Sequence, residues 1–118
     1  MSSFAGPFPL AHSDILKRIA PNTPAVYLLI TLHEGDPYVR YVGRAEADLT
    51  RELLSWVGRY DQYAYQAVAD DIAGFLLECA AYHDYGGARV LANTAHPHPP
   101  YQDLFCTVCG FGHAGPHG

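Results

Sequence analysis

The spacing of apolar side chains along this 118-residue chain changes several times, and each change marks an element. Ala25–Leu32 (AVYLLITL) is dense in β-branched, aromatic and leucine side chains and is bounded by turn signals, which predicts a central strand. Asn22-Thr23-Pro24 reads as the turn before it, and Glu34-Gly35-Asp36-Pro37 as a hairpin connection after it. Tyr38–Val42 (YVRYV) is then its antiparallel partner, ending at Gly43. From about Glu46 to Arg59 the period becomes helical, with Leu49, Leu53, Leu54, Trp56 and Val57 forming an apolar stripe. Tyr63–Val68 (YAYQAV) reads as a third strand. Asp70 or Asp71 caps a helix reaching about Tyr82, whose face uses Ile72, Phe75, Leu76, Cys79 and Tyr82. Gly86 and Gly87 are natural stop signals for it. Upstream, a short helix begins at Ser13 or Asp14 and must stop before Pro21, while residues 1–11 read as a loose arm. Arg89–Asn93 is a short extended or helical piece, and from His96 onward periodicity is lost among Pro, Gly and His.

The pattern predicts an α+β domain, a small three-stranded antiparallel sheet flanked by helices. Residues 1–23 form an arm with a short helix, 24–94 the domain, and 95–118 a tail.

Composition narrows the function classes. With 49% apolar and only 16% charged residues, the chain has the material for a core and is no disordered polyelectrolyte. No apolar run approaches the ~20 residues that span a bilayer, and the N-terminus lacks the basic start of a secretory signal, so a cytoplasmic setting without membrane attachment is expected. The net charge of −5 argues against a general nucleic-acid binder. Locally the balance differs, because Arg40, Arg44, Arg51 and Arg59 place four of the seven basic residues within twenty positions. Such a cluster can hold one or two phosphates on an acidic body, or simply solubilise a helix face. Three cysteines do not make a fully paired disulfide framework, and Cys79 sits in a helical apolar pattern as a buried small hydrophobe.

Three features coincide in the middle of the chain: Ala25-Val26-Tyr27 entering the first predicted strand, Tyr41-Val42-Gly43-Arg44 leaving the second, and a lone Glu78 in the last apolar helix. On a hairpin, Tyr27 and Tyr41 can share one face, and Gly43 lets the backbone turn tightly or a ligand approach closely. Arg51 lies on the following helix. Singly, each has an ordinary explanation: strand tyrosines pack, and helix glutamates are solvated. Together they resemble the GIY-YIG nuclease superfamily. Its Gly-Ile-Tyr motif is similar to Ala25-Val26-Tyr27, its Tyr-Ile-Gly to Tyr41-Val42-Gly43 with the basic Arg44 following, its helix arginine to Arg51 and its metal-binding glutamate to Glu78. The resemblance covers roughly residues 24–93, and the family's later asparagine corresponds to Asn93. Ala25 replaces the first glycine. Where many members carry a tyrosine or histidine four residues beyond the arginine, this chain has Ser55 followed by Trp56, leaving Tyr60 or Tyr63 as candidates for that place.

These residue types suit phosphodiester hydrolysis, which needs an activated water, a cation on the phosphate oxygens and stabilisation of developing charge. Glu78 offers a hard carboxylate to one Mg²⁺ or Mn²⁺. Arg51 is placed to contact the scissile phosphate and Arg44 a neighbouring one. Tyr27 is the candidate general base, its pKa of about 10 needing a nearby cation to lower it, and Tyr41 orients water or phosphate. Gly43 and Asn93 complete the expected substrate-binding set. The resemblance implies the same division of labour on DNA. A domain this small has little surface for sequence-specific readout, so a homodimer or a larger protein partner is a natural extension. Two further readings stand beside the nuclease: a catalytically silent module of the same fold that binds nucleic acid or protein, and a zinc-stabilised interaction protein. Charge geometry separates them. A phosphate cleft needs Arg44, Arg51 and Glu78 converging, with Asp48, Glu52 and Asp61 turned away.

In the tail, Cys106-Thr107-Val108-Cys109-Gly110 is followed by His113 and His117. Cys106, Cys109, His113 and His117 are therefore candidate ligands of a structural Zn²⁺, with His96 or His98 able to replace either late histidine. The alternative is an unmetallated flexible tail.

Overall fold

The computed structural model of the protein describes residues 4–93 and 95–112. It is α+β, with a four-stranded antiparallel sheet and three helices. In chain order these are β1 (Ala5–Pro9), α1 (His12–Arg18), β2 (Ala25–His33), β3 (Asp36–Ala45), α2 (Leu49–Leu54), β4 (Gln62–Ala67) and α3 (Asp71–Asp84), followed by a 3-10 turn at Gly87–Arg89. The strands lie in the order β1-β4-β2-β3. No helix among the described residues is long and apolar enough to cross a membrane.

The continuous apolar character of β2 follows from its place between β3 and β4, with both faces covered. Alternate side chains serve two cores. Ala25, Tyr27 and Leu29 pack with Leu10, Ile15 and Ile19 of the N-terminal region and Leu49 and Leu53 of α2. Val26, Leu28 and Ile30 face the opposite way, toward Val42, Ala64 and the α3 residues Ala81 and Tyr82. At the start of α3, the Asp70 side chain accepts a hydrogen bond from the Ala73 backbone N–H, so of the two aspartates the sequence offers, Asp70 is the N-cap.

Two expectations are corrected. The N-terminal segment is no loose arm, since Ala5–Pro9 adds a fourth strand by pairing with β4. It was hidden because Pro7 and Pro9 lack donors and its side chains are mostly exposed, features that only an edge strand tolerates. Phe8 packs against Tyr63 and Tyr65 at ring distances of 5.6 and 6.3 Å, and Arg18 lies 3.6 Å over the Phe8 ring. The helix expected to run to Arg59 ends at Leu54. Trp56 N–H turns back to the Leu53 carbonyl at 3.0 Å, and Gly58 takes φ +90°, a left-handed conformation that stops the helix. The apolar stripe continues past the helix because Trp56 and Val57 still pack on the same core.

Candidate active cleft and metal-ligand group

β2 and β3 place Tyr27 directly opposite Gly43. The missing side chain at 43 is a packing requirement. A Cβ there would meet the Tyr27 ring at 2.4 Å from Cζ and 2.5 Å from the hydroxyl, well inside van der Waals contact. Tyr27 is thus pinned over bare backbone and is only 2% exposed. Its hydroxyl donates to Glu52 Oε1 at 3.1 Å and accepts from Trp56 Nε1 at 3.1 Å, so α2 and the turn after it fix its orientation. Tyr41 shares this face, its ring 6.3 Å from Tyr27 and 4.8 Å from Trp56. Burial first, and then the Glu52 charge, raise the Tyr27 pKa above that of a free tyrosine. Burial, followed by the Glu78 and Glu52 charges, raises that of Tyr41. The direction is opposite to the lowering that a tyrosine base requires.

β3 delivers Arg44 and α3 delivers Glu78, and they meet in an ion pair of 2.7 Å. Arg44 also donates to Glu46 at 3.1 Å and to the backbone carbonyl of His98 at 3.3 Å. Gly74 of α3 admits this side chain, since a Cβ there would sit 3.2 Å from Arg44 Cδ. Glu78 is 8% exposed, and burial raises its pKa to about 7 even though Arg44 opposes the shift. Arg51, by contrast, forms no ion pair with the described residues. Tyr27, Tyr41, Gly43, Arg44, Arg51 and Glu78 all line one open cleft of about 650 Å³.

The acids divide. Asp61 is turned away, accepting the Leu32 N–H at 2.7 Å. Glu46, Asp48 and Glu52 line the cleft, and one buried Asp48 oxygen, Oδ1, has no hydrogen-bond partner. Of the aromatics after Arg51, it is Trp56 that reaches the Tyr27 hydroxyl, whereas no such contact is made by Tyr60 or Tyr63. Tyr60 packs on Trp56 at a ring distance of 5.8 Å, and Tyr63 is buried and donates to Asp14 at 2.7 Å. In the sequence Trp56 reads as part of the helix stripe and Glu52 as an acid to be excluded, so neither stands out. The signal for both is their position, five residues and one residue after Arg51, on the turns that face β2.

Asn93 does not reach this cleft. Its amide accepts from the Val42 N–H at 3.0 Å and donates to the Val42 carbonyl at 2.8 Å, sealing the free edge of β3. It lines a smaller neighbouring cavity of about 420 Å³ with Tyr41, Glu78, His96 and His98.

At the end of α3, a second group of side chains can hold a metal ion. His83, His96, Cys106 and Cys109 each offer one ligand atom, all within 4.8 Å of one another. Cys106 and Cys109 were expected there, and His96 as a substitute; His83, hidden in the helical pattern, was not. His113 and His117 lie outside the described residues. Burial would raise the Cys106 thiol pKa, but the backbone N–H groups of Cys109 and Val108, together with the Cys79 and Cys109 thiols, turn the net shift downward. Cys79 is buried against Cys106, as its helical pattern implies.

No protein-family model matches this chain, and neither the curated proteins nor the solved structures yield a match.

Proposed function

We propose that the protein is a metal-dependent endonuclease that hydrolyses DNA phosphodiester bonds, as its resemblance to the GIY-YIG superfamily implies. The observation carrying this reading is the convergence of Tyr27, Tyr41, Arg44, Arg51 and Glu78, from four separate elements, on one cleft. Arg51, outside any ion pair among the described residues, is the cation available to a scissile phosphate, with a guanidinium suited to two hydrogen bonds to its oxygens. Tyr41, which lines the cleft beside Arg44, would orient the water or the phosphate. Glu78 is the carboxylate that would hold a magnesium or manganese ion. The cleft's carboxylates are hard oxygen donors of the kind such a cation takes, and one of them, Asp48 Oδ1, has no hydrogen-bond partner. When bound, that ion supplies Lewis-acid polarisation and a water of lowered pKa. The Tyr27 proton has a ready acceptor in Glu52, so Tyr27 can relay a proton from water to a carboxylate without being an anion at rest.

The second reading, a catalytically silent module of the same fold that binds nucleic acid or protein, draws on the acids. Four carboxylates, Glu46, Asp48, Glu52 and Glu78, face two guanidinium groups, so a fully ionised cleft is anionic. The test is cleavage of labelled branched and linear DNAs with Mg²⁺ or Mn²⁺, wild type beside Glu78→Ala and Arg51→Ala. Metal-dependent cutting that disappears in both variants supports the nuclease. No cutting on any substrate, with retained binding, turns the reading to the silent module.

A further inference from the structure

The tail past Asn93 has almost no core of its own. Among its described residues only Pro97 and Cys106 are buried, and Cys106 is 0% exposed. With Leu104, Cys106 rests on Phe75, Leu76 and Cys79, a small cluster apart from the two main cores. Yet this segment turns sharply around two cysteines and returns to α3, and the contacts there have the form of a coordination shell. Cys106 N–H donates to the Phe111 carbonyl at 2.9 Å, and Gly110 N–H to the Cys106 carbonyl at 2.8 Å. Gly110 adopts φ +82°, which closes the loop. The Val108 N–H points at Cys106 Sγ at 3.4 Å, the kind of backbone donation that steadies a ligating thiolate.

The two histidines decide the matter. His96 Nδ1 lies 2.7 Å from the Pro97 carbonyl, a contact that makes Nδ1 the protonated nitrogen and leaves Nε2 bare. That bare Nε2 has two neighbours, His83 Nε2 at 3.2 Å and Cys109 Sγ at 3.4 Å. One in-plane lone pair cannot serve both as a hydrogen-bond acceptor with good geometry. A shared ion removes the conflict. Tetrahedral zinc, with Zn–N of ~2.0–2.1 Å and Zn–S of ~2.3 Å, sets two nitrogens ~3.3 Å apart and a nitrogen and sulfur ~3.6 Å apart. The observed separations are close to both. Two imidazoles and two thiolates make a closed, four-ligand set without a place for substrate, the mark of a structural centre.

We infer that His83, His96, Cys106 and Cys109 together bind one zinc ion, which fastens residues 95–112 to the end of α3. One ligand comes from α3 and three from the segment, so the bond is between tail and domain and not within a self-contained knuckle. His98, two residues beyond His96, gives its carbonyl to Arg44 and lines the cleft. The ion therefore holds one wall of the cleft without touching the residues proposed for catalysis.

This inference is independent of the nuclease reading, and its readouts are metal content, spectrum and backbone exchange. Protein from zinc-supplemented cells should contain about one zinc per chain by elemental analysis. Cobalt substitution should give the intense visible bands of a tetrahedral site with thiolate charge transfer. The double variant His113→Asn/His117→Asn should keep both. His83→Cys retains four ligands while adding a thiolate, so it should keep the metal with stronger charge-transfer absorption. Chelation should raise amide exchange in residues 95–112 and the last turn of α3 while β2 and β4 stay protected. Three results would overturn the inference: folded protein that takes up neither zinc nor tetrahedral cobalt, metal lost with His113 and His117 together with a cobalt spectrum unchanged by His83→Cys, or exchange in 95–112 unchanged by chelation. Iron in place of zinc would overturn the identity of the ion.

Discussion

Gly43→Ala offers a sharp test of how the cleft is built, because its effect should reverse with the residue opposite. In a strand, exchanging glycine for alanine ordinarily stabilises by about 0.5–1 kcal/mol through the unfolded state. Here the new methyl would lie 2.4 Å from Tyr27 Cζ and 2.8 Å from Cε1, on a ring that is 2% exposed and cannot swing into solvent. Overpacking of this kind costs about 1–3 kcal/mol. Displacing the hydroxyl also weakens its bonds to Glu52 and Trp56, where a hydrogen bond to a charged partner is worth about 1.5–3 kcal/mol. A net loss of about 2–4 kcal/mol follows, a large share of the ~5–15 kcal/mol that holds a domain together. In a Tyr27→Leu background the far end of the ring is gone, and the same substitution should be neutral or stabilising by up to about 1 kcal/mol. Tyr27→Phe keeps the clashing ring atoms, so Gly43→Ala should still destabilise there. Urea unfolding of the four members of the Tyr27→Leu cycle, with m-values compared, measures the coupling. An equal effect of Gly43→Ala in the wild-type and Tyr27→Leu backgrounds would refute the account of Gly43 as the seat of the Tyr27 ring.

Two further predictions rest on the neighbouring contacts. The folded-state pKa of Glu78 is raised to about 7 from an ordinary value of 4.5, so the folded state favours the protonated acid. Stability should be greatest below about pH 4.5 as far as this group is concerned, and should fall by up to about 3 kcal/mol as pH rises through 7. Urea titrations in metal-free buffer should show that slope in wild type and lose it in Glu78→Gln; parallel profiles would count against a buried, raised Glu78. Asn93→Ala should cost about 1–3 kcal/mol by leaving the Val42 N–H and carbonyl without the amide that seals them. Asn93→Asp should be worse, since a carboxylate facing the Val42 carbonyl repels it, and chemical denaturation that ranks the two the other way would rule out the clasp.

What could be read from the sequence was what repeats. β2, β3, β4 and α3 announce themselves by their apolar patterns, and the last residues of the AVY and YVG segments, Tyr27 and Gly43, come opposite once the strands pair. Local turns were harder. α2 ends early because Gly58 reverses the chain, although the apolar stripe that signals a helix runs on into Trp56 and Val57. β1 was invisible because an edge strand with two prolines has neither alternation nor propensity. The Cys/His group was half visible. C-x-x-C declares itself along the chain, but its partner His83 is brought near by the docking of the tail on α3, and no sequence spacing encodes that.

The acids of the cleft set the terms on which any phosphate enters. Arg44 is already satisfied by Glu78 and Glu46, so its charge is largely cancelled where it lies, and Arg51 alone faces Asp48 and Glu52. A bare phosphate would meet more negative charge than positive at separations well within the ~8 Å screening length at physiological salt. Under the proposed chemistry, DNA binding should therefore require a divalent cation, rising with Mg²⁺ at fixed ionic strength rather than simply falling with added salt. Asp48→Asn, which removes a cleft charge without touching Arg44, should strengthen DNA binding in the absence of divalent ions. Fluorescence anisotropy with a labelled oligonucleotide in magnesium or EDTA separates the cases. Tight binding in EDTA that Asp48→Asn leaves unchanged would mean that DNA is held elsewhere on the surface, and that this cleft is shaped for a cationic partner instead.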